Sequence, residues 1–455
     1  MKVSLAVSVL LASMALGTTC AHVPQAPAEA PAPALFLPVK DSELPPDDTE
    51  LRIFPNAVIR QRLVRLNPAV IHSGVLPAST ERVRLNLFQN TSYTAVRSPT
   101  ETQAGDTEAS ASDLGVVIWD ATIEELPTGE DNQVTIDSRD GFLMATISAG
   151  ERYFQIEPAG ELQARIVEVD LSKYPPDEAP GGADCKPVLC GSEGLAAGAA
   201  PSMPPEAAAR ERVAPDAVPT VRVLVVYNGE RSRDAKTNNP LRAAIAEHHI
   251  NRSFWRQRIR ARVSIVGVKW VDHKTKDNST KDLAWAMHNQ HIQKLRDHCR
   301  ADVVTLWTGG VKNGHCGLAG YWGQLPKPAC APRAYAVVDR ACVLSTKAFA
   351  HELGHLLGLQ HDHYSLEQGC HYSSFPSVPC SYGFTNPELC LSTMMSEDSR
   401  CDTGGRAQRV LVWSTPEALG EYPPGTWGVA CGSPSTAANS AEQIGPGAEV
   451  VARYR

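Results

Sequence analysis

The chain has 455 residues, of which 43% are hydrophobic, so it can bury the cores of about two or three ordinary domains. Its 50 acidic residues outnumber its 43 lysines and arginines, which gives a formal net charge of −7. No dense run of lysine or arginine occurs, so the sequence lacks the basic footprint that nucleic-acid binding requires. We therefore expect a globular protein of more than one domain, with no nucleic acid among its partners.

The first residues are typical of export. Lys2 is followed by apolar residues from 3 to 16 and then by small residues, the order found in secretory signal peptides. This apolar run is too short for a permanent membrane anchor. We expect a signal peptide over 1–21 and a secreted, extracellular protein. Cys20 leaves one alternative, a lipoprotein anchored at the cell envelope, so a membrane is expected as a partner only if Cys20 is lipidated.

Composition divides the next part of the chain into three segments. Residues 22–48 are rich in proline and alanine, as in an extended spacer. From 49 to 175, short runs such as "GVVIWDATIE" and "RYFQIEPA" are separated by turn-forming residues, which predicts a compact β-rich domain. Residues 176–217 are again dense in proline, alanine and glycine, which predicts a linker.

Apolar, β-branched strands alternate with helices from Val221 onward, which predicts a layered α+β domain over 218–455. Asn239, which precedes a proline, predicts the start of a helix that runs to about Arg260. A second helix is predicted over 281–299. Ser345 is placed to cap the helix that follows it.

The stretch "HELGHLLGLQH" places three histidines and a glutamate close together. At about 100° per residue, His351 and His355 share one face of a helix, and the apolar side chains occupy the opposite face. Gly358 permits the helix to stop and the chain to turn, so His361 can swing back as a third ligand. Glu352 lies beside the histidines, within reach of a water on the metal. Three neutral imidazoles and one water form the open tetrahedral arrangement of catalytic zinc.

These positions match the full H-E-x-x-H-x-x-G-x-x-H signature, which a Met-turn follows in the metzincins. "LSTMMSED" is the candidate Met-turn, with Met395 as its methionine and Met394 before it. Two alternatives are a histidine-rich surface helix and a methionine pair that fills a core gap. Glu397 stands where some metzincins carry a tyrosine, so a tyrosine acting from that position is not expected.

The motif, with Asp362 directly after His361, resembles the bacterial metzincin zinc endopeptidases of the reprolysin (adamalysin-like) type. The likeness extends to "ADVVTLWTGG", "HCGLAGYWG", "AYAVVDRAC" and "STPEALGEYPPGTWG", and "DGFLMATISAGERYFQIEP" is similar to the family's propeptide. The segment "GGVKNGHCGLAGYWG" is then expected to supply the strand edge that lines the cleft. The resemblance implies an α+β fold: a metzincin-type zinc-peptidase domain with a mixed sheet and long helices, preceded by a β-rich propeptide domain.

This resemblance implies hydrolysis of peptide bonds in a protein or peptide substrate. The cofactor is then Zn²⁺, held by His351, His355 and His361, and Glu352 is the general base that takes a proton from the attacking water. The competing hypothesis is a catalytically silent surface or adhesion protein that retains the fold. Silent relatives of such enzymes commonly lose the base or one histidine, and this sequence keeps all four residues.

Twelve cysteines, nine of them from residue 299 onward, predict a disulfide framework in an exported chain. Cys316 is expected to pair with Cys342, because the two flank the segment that leads from the cleft edge to the catalytic helix. Cys185 and Cys190 precede the catalytic domain, and one of them could occupy the fourth zinc position. They could equally bond to each other, or one could bond to the odd cysteine of the catalytic domain.

The expected product is therefore a zymogen whose own propeptide is a possible inhibitor. Arg210 and Arg212 are basic residues at which a processing protease could cut, although an ordinary tether needs no cleavage. The catalytic domain is expected to fold and act without the residues before about Pro215. The predicted order is a signal peptide over 1–21, a spacer over 22–48, a β-rich propeptide-like domain over 49–175, a linker over 176–217 and a catalytic domain over 218–455.

Overall fold

The computed structural model of the chain describes residues 31–39, 53–98, 115–129, 131–175, 217–229, 233–275, 278–309, 315–321, 324–363, 380–397, 401–402, 407–420, 422, 424–431 and 437–455. Pro33–Arg455 form one compact unit. The predicted signal peptide and nearly all of the predicted linker lie outside the described residues. No helix within these ranges is both long enough and apolar enough to span a membrane.

Nine strands in the amino-terminal region form one antiparallel sheet. They are β1 (Phe36–Pro38), β2 (Val58–Leu66), β3 (Arg82–Phe88), β4 (Thr91–Arg97), β5 (Val117–Ile123), β6 (Asn132–Arg139), β7 (Phe142–Ala149), β8 (Arg152–Gly160) and β9 (Gln163–Val169). From β3 to β9 each strand pairs with the next along the chain, and β2 then pairs with β9. An isolated bridge between Ala34 and Arg84 joins the two ends of the sheet.

Side chains alternate between the two faces of this sheet, and both faces are covered. One face carries apolar residues that form their own cluster, among them Trp119, Ile136 and Phe154. The opposite face carries Met144 and Val167, which belong to a second cluster shared with the carboxy-terminal region. The segment predicted to be β-rich therefore forms a sheet with one core of its own and a second core that it shares with the carboxy-terminal region.

The carboxy-terminal region contains a five-stranded sheet of order β11-β10-β12-β14-β13. Its strands are β10 (Thr220–Tyr227), β11 (Arg262–Trp270), β12 (Val303–Thr308), β13 (Gly317–Ala319) and β14 (Tyr335–Asp339). Every pairing is parallel except that of β13, the edge strand, which runs antiparallel to β14. Strands β12 and β14 are buried along their whole length, as parallel strands covered on both faces usually are.

Six helices and a small sheet complete the described residues of this region. The helices are α1 (Arg233–Arg256), α2 (Ser279–His288), α3 (Gln290–His298), α4 (Cys342–Ser345), α5 (Ala348–Leu356) and α6 (Ser440–Val451), and the small sheet contains β15 (Thr385–Asn386), β16 (Leu391–Ser392) and β17 (Gln408–Arg409). The predicted mixture of sheets and helices is confirmed, with β13 making the larger of these sheets a mixed one.

Three helix predictions need correction. Helix α1 starts before Asn239 and contains Pro240, because packing against both sheets outweighs the low helix propensity of proline. The helix predicted over 281–299 is two helices, since the Asn289 side chain accepts hydrogen bonds from the first backbone N–H groups of α3. Ser345 does not cap α5: the capping position is Lys347, in a left-handed conformation with φ 59°.

Helix α1 lies between the two regions. It packs against β11 on one side and against β6, β7 and β8 on the other. Leu241 to Phe254 are almost entirely buried, although this stretch includes several charged residues. A helix buried on all sides is normally apolar all round, so the charged residues of α1 must find partners in the surrounding sheets.

Candidate metal centre

Helix α5 places the first two predicted ligands one turn apart. His351 and His355 are both fully buried, and burial is the main cause that lowers the pKa of each imidazole well below its usual value. Gly358, at φ +98°, then reverses the chain after the helix ends. This turn returns His361, 7% exposed, to the other two histidines. Neutral imidazoles are the form that binds a metal.

The Nε2 atoms of the three histidines converge on one point. The His351–His361 distance is 3.2 Å, the His351–His355 distance 3.1 Å and the His355–His361 distance 3.0 Å. In a tetrahedral zinc site with zinc–nitrogen bonds of about 2.0–2.1 Å, ligand nitrogens lie roughly 3.3 Å apart. The donor set therefore fits a zinc ion. Within the described ranges this is the one cluster of three or more histidine, cysteine or carboxylate groups suited to a metal.

The Nδ1 atoms on the other side of each ring have partners that fix the rings. His351 Nδ1 lies 3.0 Å from the Met394 carbonyl, and His355 Nδ1 lies 3.0 Å from the Leu359 carbonyl. A carbonyl only accepts, so each of these rings carries its proton on Nδ1 and turns an unprotonated Nε2 toward the centre. His361 Nδ1 lies 3.1 Å from a carboxylate oxygen of Glu397.

Glu397 is the functional residue that sequence reasoning missed. Glu397 occupies the position at which some metzincins carry a tyrosine, and its carboxylate contacts His361, the third predicted ligand. A carboxylate behind a metal-binding imidazole raises the basicity of the ring and fixes its orientation. The sequence shows only that an acidic residue lies two positions after Met395, which does not by itself indicate a contact with His361.

Glu352 follows the first ligand and is fully buried. Its carboxylate lies against the edge strand β13: a Cβ atom on Gly317 would overlap the Glu352 side chain. Glycine at this position therefore gives the carboxylate its room beside the strand. The arrangement places one acidic group between the histidine helix and the sheet edge.

The candidate Met-turn lies beneath helix α5. Met394 and Met395 are both fully buried. A Cβ atom on Gly354 would overlap the Met395 sulfur, so the glycine allows the helix and this turn to approach closely. Gly383 makes a similar close approach to the backbone of Met395. The turn thus contacts the metal helix from below and also supplies the carbonyl that orients His351.

Asp362 and His363, which follow His361 directly, have structural roles near the site. Asp362 is 2% exposed and accepts a hydrogen bond from the Thr385 hydroxyl at 2.8 Å. His363 Nε2 lies 2.7 Å from the Ala437 carbonyl, and its ring stacks on Tyr382. His363 is therefore held away from the cluster of three histidines.

The predicted pairing of Cys316 with Cys342 is confirmed. This bridge joins the start of the edge strand β13 to the start of α4, and so ties the cleft edge to the segment before the histidine helix. Two further bridges connect Cys380 with Cys431 and Cys390 with Cys401, and Cys330 is also disulfide-bonded. Cys185 and Cys190, the candidates for blocking the metal, lie outside the described residues.

Comparison with solved structures gives weak matches to this chain, among them the following two. One is described as a chaperone–substrate complex: it has a TM-score of 0.39 and 20% identity, and the match covers 52% of this chain and 39% of that one. The other is metalloproteinase-II from Bacteroides fragilis, with a TM-score of 0.32, 10% identity and coverage of 64% of this chain and 83% of that one. At these scores neither likeness carries an argument about the fold.

Comparison by sequence is more informative. A curated relative, the peptidyl-Asp metalloendopeptidase of Pseudomonas aeruginosa, is 26% identical over 193 residues, which are 39% of this chain. The match covers 29% of that relative, so the chain spans under a third of its length. Residues 220–406, which contain the three histidines and Glu352, match the family model Reprolysin_5, Metallo-peptidase family M12. The predicted resemblance to the metzincin-type metallopeptidases is thereby confirmed for the region that carries the candidate metal centre.

Proposed function

We propose that the chain is a zinc-dependent endopeptidase of the metzincin type that hydrolyses peptide bonds in proteins or peptides. The observation that carries this proposal is the convergence of three buried Nε2 atoms within 3.2 Å of one another. Each ring is oriented from behind by its own partner, which is the construction expected of a metal site rather than of a histidine-rich core. Family M12 is the family to which the same region is similar.

Zinc bound by three imidazoles supplies a Lewis acid that polarises a carbonyl and lowers the pKa of a water to about 7. Glu352, adjacent in sequence to the ligand His351, acts as general base. It accepts a proton from the attacking water and delivers that proton to the leaving amine nitrogen. Burial of Glu352 beside Gly317 holds its carboxylate in place and keeps bulk water from competing for it.

The edge strand β13 is the proposed substrate platform. It pairs with β14 on one side and is the last strand of its sheet among the described residues. An extended peptide can add to such an edge by backbone hydrogen bonds. Because Gly317 of this strand lies against Glu352, a peptide on the strand would pass beside the general base.

The enzyme is proposed to be made as a zymogen that is inhibited by its own amino-terminal part. Pro175, the last described residue before the linker, has its carbonyl oxygen 3.4 Å from the Cys316 sulfur, immediately before the edge strand. Chain that continues from this point starts at the cleft, where Cys185 or Cys190 could occupy the fourth metal position. Peptidase activity in the uncleaved Cys190→Ala protein supports that role; continued latency assigns inhibition to occupancy of the cleft alone.

Export through the signal segment 1–21 is proposed for the location of the enzyme. Amino-terminal sequencing of protein recovered from the medium tests this proposal, and the expected start is near Ala21. Membrane-bound protein that becomes soluble in Cys20→Ser would instead identify a lipoprotein at the cell envelope.

The decisive experiment measures zinc content and casein cleavage in the purified, processed protein. Chelator should abolish cleavage, and Glu352→Ala should abolish it with zinc still bound. Glu449→Ala, on the exposed side of α6, is the matched control and should remain active. Peptides with and without aspartate form the first substrate panel, because the curated relative is named a peptidyl-Asp metalloendopeptidase. Zinc binding with no cleavage of any substrate would favour the silent adhesion protein.

A further inference from the structure

The side of the nine-stranded sheet that faces helix α1 is unusually polar for a buried surface. Residues of β5, β6 and β8 that point to this side include Asp120, Thr135, Gln155 and Glu157. Glu157 is 7% exposed and Gln155 fully buried, although alternation along a strand would normally turn such residues to water. We call this surface the docking face. A buried polar surface needs complementary partners on the element that covers it.

Helix α1 supplies those partners with opposite charge. Arg242 Nη2 donates to both carboxylate oxygens of Glu157, at 2.6 and 2.7 Å. One turn and a half further along, His248 Nε2 lies 2.5 Å from Asp120, and Arg252 lies 3.4 Å from the same carboxylate. The acidic docking face therefore matches a basic side of α1. Interfaces between separate partners use complementary charges in the same way.

The docking face also reaches the segment that leads into the histidine helix. The Ser345 hydroxyl lies 2.9 Å from Gln155 Oε1, and the Tyr153 hydroxyl donates to the Leu344 carbonyl at 3.3 Å. The ammonium of Lys347 lies 5.9 Å from the centre of the Tyr153 ring. Strand β8 thus contacts three of the four residues that immediately precede α5.

Those residues set the start of α5. Lys347 is the residue before the helix, it has no side-chain capping hydrogen bond, and its left-handed conformation is uncommon for a residue other than glycine. Its carbonyl accepts the backbone hydrogen bond of His351 at 3.1 Å. The contacts of β8 with Lys347 and its neighbours can therefore affect the position of His351, which is hydrogen-bonded to Lys347 one helical turn later.

We propose that the amino-terminal β-rich region is a permanent part of the active peptidase. It stays bound to α1 without a covalent link once the chain is cut in the segment 176–216, and Tyr153 and Gln155 are positioning residues for the histidine helix. This proposal rests on the proposed function for its catalytic consequence. It differs from the expectation that the catalytic domain acts without the residues before Pro215.

The first test asks whether the two regions stay together. A protease recognition sequence replaces residues 176–184, and Cys20 is changed to serine, so the amino-terminal fragment contains no cysteine. After cleavage of the folded chain, the two fragments should coelute on gel filtration at neutral pH in about 0.15 M salt. Separation without denaturant would overturn the proposal. This result does not depend on peptidase activity, so it is distinct from failure of the proposed function.

The second test asks whether Tyr153 positions the metal site. Tyr153→Leu should weaken zinc binding, measured by chelator competition, roughly fivefold, the factor that the net loss of one hydrogen bond gives. Tyr93→Leu is the matched control, since Tyr93 packs on Phe154 at the opposite face of the sheet, and it should leave zinc affinity unchanged. Equal losses in both variants, or no loss in Tyr153→Leu, would contradict a positioning role. Should Tyr153→Leu fail to fold, Tyr153→Phe carries the same test.

Discussion

The candidate metal centre and the docking face are both buried clusters of polar side chains, but their polar groups are partnered in different ways. The metal centre gathers three like groups, whose Nε2 atoms face one another within 3.2 Å. The docking face instead pairs unlike groups, with Glu157 against Arg242 and Asp120 against His248. The first cluster is proposed to be completed by a cation from outside the chain, whereas the second is completed by another part of the chain itself. In this chain the cluster of like groups therefore fits a ligand site, and the cluster of unlike groups fits a contact between two parts of the fold.

The largest expected effect is on catalysis, through replacement of Glu352, the proposed general base. Glu352→Gln is expected to lower kcat by about 10² to 10⁴, because the water loses its proton acceptor. Zinc content and thermal stability should change little, since the three ligands remain. Assays of the processed enzyme and metal analysis of the same sample measure both quantities. Full activity in Glu352→Gln would contradict the assigned role, and Glu449→Gln serves as control.

On the docking face, removal of the Glu157 charge alone should destabilise the protein more than removal of the Glu157 and Arg242 charges together. Glu157→Ala leaves the Arg242 side chain, 0% exposed, without its anion, and is expected to cost about 3–5 kcal/mol of unfolding free energy. Replacing both residues by leucine should recover most of that loss. Denaturant unfolding of the single and double variants measures the difference. Simple addition of the two single losses would mean that the pair is not coupled.

Replacement of Glu397 should act on the metal centre alone. Glu397→Ala removes the carboxylate behind His361 and is expected to weaken zinc binding about 10- to 100-fold, as loss of such a partner does in other metal sites. Competition with a fluorescent chelator gives the Kd. Glu388→Ala, an exposed residue on the same segment, is the control. Unchanged affinity would show that His361 is oriented by other contacts.

The smallest expected effect concerns Asp137, a fully buried carboxyl on the docking face that lies near the like charge of Asp120. Burial first, and the charge of Asp120 second, raise the pKa of Asp137 well above its usual value, so the folded protein keeps this carboxyl protonated to a higher pH than the unfolded chain does. The unfolded chain ionises this carboxyl above about pH 4. Above that pH, folding takes up a proton, so the folded state loses stability as the pH rises from about 4 toward the pKa of the folded protein.

Asp137→Asn should therefore be more stable than the unmodified protein at pH 7 and equal to it at pH 3. Thermal unfolding at the two pH values measures this. If Asp137→Asn and the unmodified protein differ in stability by the same amount at both pH values, folding does not raise the pKa of Asp137. Asp131→Asn is the matched control, because Asp131 lies just before the same strand and is only half-buried.

Much of the candidate site could be predicted from sequence, because its residues are local. His351, Glu352 and His355 are fixed by helical periodicity, and Gly358 announces the turn that brings back His361. The partners of the imidazole Nδ1 atoms could not be predicted. Two are backbone carbonyls, which have no signature in a sequence, and the third, Glu397, comes from a distant segment.

The docking face could not be predicted for a different reason. Alternation along β8 correctly indicates a strand with an apolar face, but it also suggests that Gln155 and Glu157 point to water. Only the three-dimensional arrangement shows that α1 covers them. The same arrangement explains why Ser345 was wrongly expected to cap α5: its hydroxyl lies beside Gln155 instead. Alternation along a strand predicts which side chains share a face of the sheet, but not whether another element covers that face.

The order of strands in the nine-stranded sheet has a consequence for biosynthesis. From β3 to β9 every pairing joins neighbours in the chain, so this sheet can form by short-range contacts while the rest is still being translated. Helix α1, made next, then meets a finished surface that already bears the carboxylates of Asp120 and Glu157. The surface against which α1 packs is therefore synthesised before α1 itself. A chain begun after residue 217 would have to shape its central helix without that template.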